Sequence, residues 1–265
     1  MNNLHRELAP VSSSAWTEIE QEARRTFVLR AAGRKVVDVV GPAGTDLAAV
    51  GTGHLHDAGE VLPGVMARQR EARPVIELRV PFRVTRTAVD DVDRGASDSD
   101  WQPVKDAAAL IARAEDTLIF HGTGDSVEGL IPASTNAAVP MPADVIGYPG
   151  AVAHALNALR LADVAGPYDL VLPSEAYTLA SETTDHGYPV SEHLSRIIKD
   201  GSIIWAPAVE DVVVVSQRGG DYTLHLGQDL SIGYLSHTAD HVELYLQESF
   251  TFLVNTAEAS VAIRR

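Results

Sequence analysis

The chain contains no cysteine, which excludes disulfides and thiolate metal sites and is compatible with a reducing compartment. It is also poor in positive charge. Its 21 Lys and Arg stand against 36 Asp and Glu, a net charge of −15 with His neutral. Binding to nucleic acid or to an anionic membrane is driven by cations that neutralise phosphates, so such a surface predicts neither partner. The opening MNNLHRELAP has no apolar h-region, and no apolar run reaches the roughly 20 residues of a transmembrane helix. A cytoplasmic protein is expected. No solenoid-period repeat is present. Catalytic signatures are missing too: no GxSxG, HExxH or SxxK motif sits in a suitable setting, so hydrolase chemistry has no support and no enzyme is expected.

What is present reads as a mixture of helices and strands in a chain of 265 residues, long enough for a substantial core. Residues 12–32 form an amphipathic helix: a Ser at 12–14 caps it, Trp16, Ile19, Ala23 and Phe27 make its apolar stripe, and Gly33 stands at the expected C′ position. A strand-like run at 34–40 ends at Gly41-Pro42. Residues 45–73 lack a core face, and 75–84 then alternate strictly, with Ile76, Leu78, Val80, Phe82 and Val84 on one side. This pattern reads as an extended arm whose apolar face needs a neighbour. Pro81 makes the strand an edge or a bulged one. An acidic loop is expected at 88–100. The strongest helical pattern follows at 101–120, where Val104, Ala107, Ala108, Ile111, Ala114 and Leu118 share a face behind Pro103.

Residues 121–129 read as a glycine-rich loop and 133–142 as a linker and domain boundary. Helices are expected at 150–165, 174–181 and 190–199, a polar loop at 182–189, and strands at 168–173 and 202–207. The all-aliphatic run at 212–215 suits a strand buried on both faces. The turn Arg218-Gly219-Gly220-Asp221 should fold it into a hairpin with 222–226, which then continues past a bend at 227–229 into another sheet. Further strands are expected at 230–234, 241–248, 249–254 and 260–263.

Isolated polar residues offer little chemistry. Gly122-Thr123-Gly124…Gly129 follows a helix and lacks the full spacing of a dinucleotide loop. His54, His56 and Asp57, or His237 and His241, lack a third ligand, and solvated histidines are the reading; no metal and no cofactor is expected. Arg34 and Asp38, four apart, read as a structural pair at the foot of a strand.

The wording of several stretches is nevertheless specific. GGDYTLHLGQDLSIGY (219–234), LxRELAPxSxxAW (4–16), GRKVVDVxGPxG (33–44) and ESFTFLVNTAEA (248–259) together resemble the encapsulins, bacterial nanocompartment shell proteins built on the tailed-phage major capsid fold. The resemblance runs over essentially the whole chain. It implies an α+β, phage major-capsid-like fold with these parts: peripheral domain at 1–45, 87–132 and 227–255; extended arm at 46–86; axial domain at 133–226; terminal strand at 256–265. It implies self-assembly into a closed icosahedral homo-oligomer of roughly sixty copies that houses an enzyme. By similarity to the branch with the MNNL…ELAP opening, the cargo would be a dye-decolourising-type haem peroxidase, with a ferritin-like protein second. Phe27, Arg34, Asp38, Asp229, Leu230 and Ile232 match the inner-surface groove that holds the cargo's C-terminal targeting peptide. Glu182, Thr183, Thr184, Asp185, His186, Gly187 and Tyr188 match the loop that rings the five-fold pore. A flavin-stacking Trp of some relatives is matched here by Thr87, so flavin is not carried over. Some relatives were first described as bacteriocins or proteases, but no residues here would carry proteolysis. The other rival, a phage head protein that packages DNA, sits poorly with the net charge.

Overall fold

A computed structural model describes residues 3–124 and 126–265. Met1 and Asn2 of the opening segment and Asp125 of the glycine-rich stretch lie outside the described residues. In chain order, helix α1 (Ser13–Arg30) is followed by β1 (Asp38–Val40), β2 (Ala49–Leu62), β3 (Val65–Pro74), β4 (Ile76–Thr85), α2 (Arg86–Asp93) and α3 (Gln102–Phe120). Next come β5 (Gly122–Thr123), β6 (Val127–Glu128), α4 (Leu130–Ala133), β7 (Val139–Pro140), α5 (Tyr148–Leu161), β8 (Tyr168–Leu172), α6 (Ser174–Glu182), β9 (Thr184–Asp185), β10 (Tyr188–Pro189) and α7 (Val190–Ile198). The chain closes with β11 (Ile203–Trp205), β12 (Val212–Ser216), β13 (Tyr222–Leu226), β14 (Ser231–His237), β15 (His241–Val254) and β16 (Ser260–Arg264).

Two sheets carry two cores. The first is organised by β15, one unbroken strand in place of the two expected at 241–248 and 249–254. Phe250 pairs with Leu226 of β13 and with Ile76 of β4, and Leu246 pairs with Ile232 of β14 and with Val80 of β4. A residue has one partner per side, so β13 and β14 run in succession along one side of β15 while β4 takes the other. The bend at 227–229 therefore does not lead into another sheet. It is a break within one sheet, held to β15 by Gly227 N–H donating to Ser249 O and Ser249 N–H donating to Gln228 O. Against this sheet pack α1, α2 and the first half of α3, burying Ile19, Phe27, Val84, Ile111 and Leu244.

The second sheet has the order β11-β8-β12-β16-β7. Every residue of β8 and β12 is buried, and for β12 that is what the aliphatic run at 212–215 requires. Helices α5 and α7 cover it with Leu156, Leu159, Leu194 and Ile198. The expected hairpin between 212–215 and 222–226 is not made. The Gly219-Gly220 turn is real, with φ of 81° and 82°, but it hands the chain from one sheet to the other. Each strand has partners on both sides elsewhere: β12 lies between β8 and β16, and β13 between β1 and β15.

Other departures are local. Residues 88–100 are not all loop: Thr85 accepts from Ala88 N–H as an N-cap, and Ala88, Val89 and Val92 bury one side of α2. Gly33 is not a left-handed cap; it lies in a short 3-10 turn, Gly33–Lys35, and the strand expected at 34–40 is reduced to β1. Of the two readings of Pro81, the edge is the one made: the β4–β15 register is unbroken through Pro81, and β4 has β15 as its strand partner. The alternating face of β4 is thus covered within the chain, while the β2–β3 hairpin is almost wholly exposed, Val61, Leu62, Val65 and Met66 at its tip included.

Candidate functional site

The site grows out of the end of α1. Ser12 caps its start by accepting from Ala15 N–H at 3.2 Å, and Ala15, Ile19, Ala23 and Phe27 are its buried face, with Trp16 half-buried. At the other end, the next two backbone N–H groups are captured by one side chain of α3. Ala32 N–H donates to Asp116 Oδ2 at 2.9 Å and Gly33 N–H to Oδ1 at 2.7 Å. Space is short at residue 33: a Cβ there would stand 2.6 Å from Ile119 Cδ1 and 3.1 Å from Asp116 Oδ1.

This turn aims Arg34 at Glu115, the neighbour of Asp116. Arg34 Nε donates to both Glu115 oxygens at 2.9 Å, Nη2 to Glu115 Oε2 at 2.7 Å and to Glu248 Oε2 at 3.0 Å, and Nη1 to Asp229 Oδ1 at 2.7 Å. The guanidinium also lies 4.8 Å from the centre of the Phe27 ring. Glu115 and Glu248 are fully buried, whereas Asp229 is half-exposed at the rim. Burial outweighs Arg34's pull and holds both glutamates above the usual carboxylate range, and for Glu248 the neighbouring Glu115 adds to the rise. The same carboxylates keep Arg34 protonated against the cost of its own burial. Three ionised acids against one cation would leave a net −2, and the cluster reaches neutrality when both buried glutamates hold their protons.

Above this cluster an open trough of about 580 Å³ runs between α1 and β14. Its apolar lining includes Leu4, Ala23, Phe27, Val28, Leu230 and Ile232; Arg34 and Asp229 close one end, and the Arg6–Glu20 pair stands at another part of its wall. Of the residues expected to come together, Phe27, Arg34, Asp229, Leu230 and Ile232 do line this trough. Asp38 does not. It accepts from Gly220 N–H at 2.5 Å and pins β1 to the Gly219-Gly220 turn, so the pairing of Arg34 with Asp38 is replaced by Arg34 with Glu115. Sequence reasoning misses the acids at 115, 116 and 248. The available signal is a Glu-Asp pair interrupting the strongest apolar stripe of the chain, at the positions where Ile111 and Ala112 repeat four residues on.

Residues 182–188 are more ordered than a loop. β9 and β10 form a two-residue hairpin with His186 and Gly187 at φ of 49° and 82°, the left-handed pair that such a turn requires. His186 points to solvent and stands 3.8 Å from Asp185, while Tyr188 packs edge-on to His193 and under Arg196. Glu182 ends α6, and Thr183 and Thr184 lead from it into the hairpin.

The remaining candidates do not converge. His56 pairs with Glu71 at 3.2 Å, His237 accepts or donates with the Tyr234 hydroxyl at 2.6 Å, and among the described residues no three potential ligands could hold a metal. Gly122 belongs to the small β5–β6 hairpin, and Gly129 follows it at the start of α4. No helix among the described residues is long and apolar enough to cross a membrane.

Comparison with known proteins agrees with this architecture. Residues 1–251 match the family described as "Encapsulating protein for peroxidase". A type 1 encapsulin shell protein of Rhodococcus erythropolis is 57% identical over 264 residues, 99% of this chain and 100% of the relative, and that of Brevibacterium linens is 58% identical over 99% of both. The shell protein of Mycobacterium tuberculosis is 53% identical over the same shares. Among solved structures, the virus-like particle from Pyrococcus furiosus superposes with a TM-score of 0.66 at 17% identity, over 94% of this chain and 98% of that one. Mycobacterium phage Bobi gives 0.56 at 17% identity, over 89% and 91%. The fold is that of the phage major capsid proteins, and the chain belongs to the family of encapsulating proteins for peroxidase, the type 1 encapsulin shell proteins.

Proposed function

We propose that this shell protein closes into an icosahedral compartment of roughly sixty copies in the cytoplasm and captures one enzyme by its C-terminal tail in the trough along α1. The proposed cargo is a dye-decolourising-type haem peroxidase, with a ferritin-like protein as second choice; the description of the matching family supports the first. The protein's own part is structural and not enzymatic. In this reading the β2–β3 hairpin is the core of the arm at 46–86, the first sheet with α1 and α3 is the peripheral domain, and the second sheet is the axial domain. The hairpin at residues 182–188 rims the five-fold pore, which passes small substrates.

The observation that carries the tail site is the open trough floored by the nearly buried Phe27 and Ile232, with the exposed Val28 and half-buried Leu230 on its walls and the Arg34–Asp229 pair beside them. A helix and a sheet edge with one charged pair to set register suit a short extended peptide. Two or three aliphatic side chains seated there contribute about 1.5–3 kcal/mol each before ordering costs. Affinity per site is modest, and an oligomeric cargo facing many identical sites gains the rest by avidity. The test is co-expression of the shell with a tailed peroxidase, scored by haem absorbance per shell and by electron microscopy. Val28→Asp, at an exposed position of the trough wall, is expected to give hollow particles with little haem. Equal loading in Val28→Asp and the parent would remove the trough as the tail site.

A further inference from the structure

The trough is positive in a strongly negative chain. Its charged lining is Arg6, Glu20, Arg24, Arg34, Lys35 and Asp229. Both acids are already engaged: Glu20 lies 2.5 Å from Arg6, and Asp229 lies 2.7 Å from Arg34. Arg24 and Lys35 are exposed, and among the described residues neither reaches a carboxylate at ion-pair distance; Lys35 acts on Asp116 only as a longer-range charge. The bias extends along the element. Residues 23–37 contain Arg24, Arg25, Arg30, Arg34 and Lys35 and no Asp or Glu. Charges are screened beyond about 8 Å at physiological salt, so a bound peptide feels these cations more than it feels the net charge of the chain.

The two free cations are also spaced. Arg24 stands roughly 10 Å before the end of α1 at about 1.5 Å per residue, and Lys35 lies just past that end. An extended peptide rises about 3.3 Å per residue, so cations so placed face positions roughly four residues apart on a bound strand. Between them lie Phe27 and Val28 of α1, facing Leu230 and Ile232.

We propose that Arg24 and Lys35 make the trough selective for an enzyme tail whose apolar core is flanked by acidic side chains, with the aliphatic residues on Phe27, Leu230 and Ile232 and the flanking carboxylates on the two cations. This rests on the trough being the tail site and adds to it the charge of the ligand. Each contact is an exposed ion pair and is weak alone. Its main effect is discrimination, because a Lys-flanked tail meets two like charges in place of two partners.

The test fuses three tails to a fluorescent reporter protein co-expressed with the full-length shell. All share one core of alternating Leu with Ser and Gly between, and they differ in carrying Asp, Ser or Lys at both flanks. Fluorescence per purified shell is expected to fall in the order Asp, Ser, Lys, with the extremes differing about threefold to tenfold. In the double variant Arg24→Glu, Lys35→Glu the order is expected to reverse. An order that stays the same in the double variant, while Val28→Asp still empties the shell, overturns the charge selectivity and leaves the trough intact. Loading that is indifferent to Val28→Asp, or absent for all three tails in the parent shell, overturns the trough itself.

Discussion

The guanidinium of Arg34, on the turn after α1, grips Glu115 of α3 with two nitrogens, Nε at 2.9 Å from both carboxylate oxygens and Nη2 at 2.7 Å from Oε2. Glu115 has no exposed surface, and its second companion on the same cation, Glu248, has none either. Removing the cation strands both. Arg34→Met is expected to destabilise the fold by about 3–5 kcal/mol, the range for breaking one partner out of a buried ionic cluster. The check is the denaturant midpoint of purified shells, with soluble yield as a second readout. Glu248→Gln is expected to be close to neutral, because one oxygen of Glu248 already lacks a hydrogen-bond partner and the group favours its protonated form. Equal losses from the two variants would mean that the cluster is not organised by Arg34.

The same acids set a pH dependence. Asp116 is pushed up to about 7 by burial, against the pull of the Ala32 and Gly33 N–H groups, and Glu115 and Glu248 are raised in the same direction. A carboxyl whose folded pKa lies above its unfolded value binds its proton more tightly when folded. For Asp116 that contribution is fully present below about 4 and is lost as pH rises through about 7. The denaturant midpoint is therefore expected to decline between about pH 5 and pH 8, with a shallower slope in Asp116→Asn. A slope that is unchanged in that variant would assign the dependence to other groups.

A side chain at Gly33 is expected to destabilise. A Cβ would stand 2.6 Å from Ile119 Cδ1, so the buried Ile119 side chain, the turn or α3 must shift, and overpacking of this kind costs about 1–3 kcal/mol. Pairing Gly33→Ala with Ile119→Val should restore part of the loss, read as a thermal shift. Failure to recover would point to the backbone of the turn as the constraint.

The β2–β3 hairpin is exposed and among the described residues its strands pair with each other alone, while β4 supplies ten register positions to β15. Replacing residues 49–74 by a short Gly/Ser linker that leaves β4 whole is expected to yield folded, soluble small oligomers and no shells by size-exclusion chromatography. Intact shells would show that the arm is dispensable. A deletion that continues into β4 is expected to precipitate, since it uncovers Phe82, Val84 and the facing side of β15.

Local patterning makes much of this protein legible from its residues. Periodicity alone determined α1, α3 and the alternation of β4, and the aliphatic run at 212–215 determined that β12 is buried, because each of these depends on residues within one or two turns or strands of each other. The wording of four stretches carried the family and with it the capsid fold. The same local reading also misleads: it folds β12 and β13 into a hairpin across Gly219-Gly220, and it pairs Arg34 with Asp38, four residues on. Only the tertiary structure decided that β12 and β13 part into different sheets, that β13 and β14 share β15, and that Arg34 turns to acids 81, 195 and 214 residues away. Those choices rest on which groups burial brings together: a carboxylate taken out of water must find a cation or a proton, and that partner is set by packing and not by nearness along the chain.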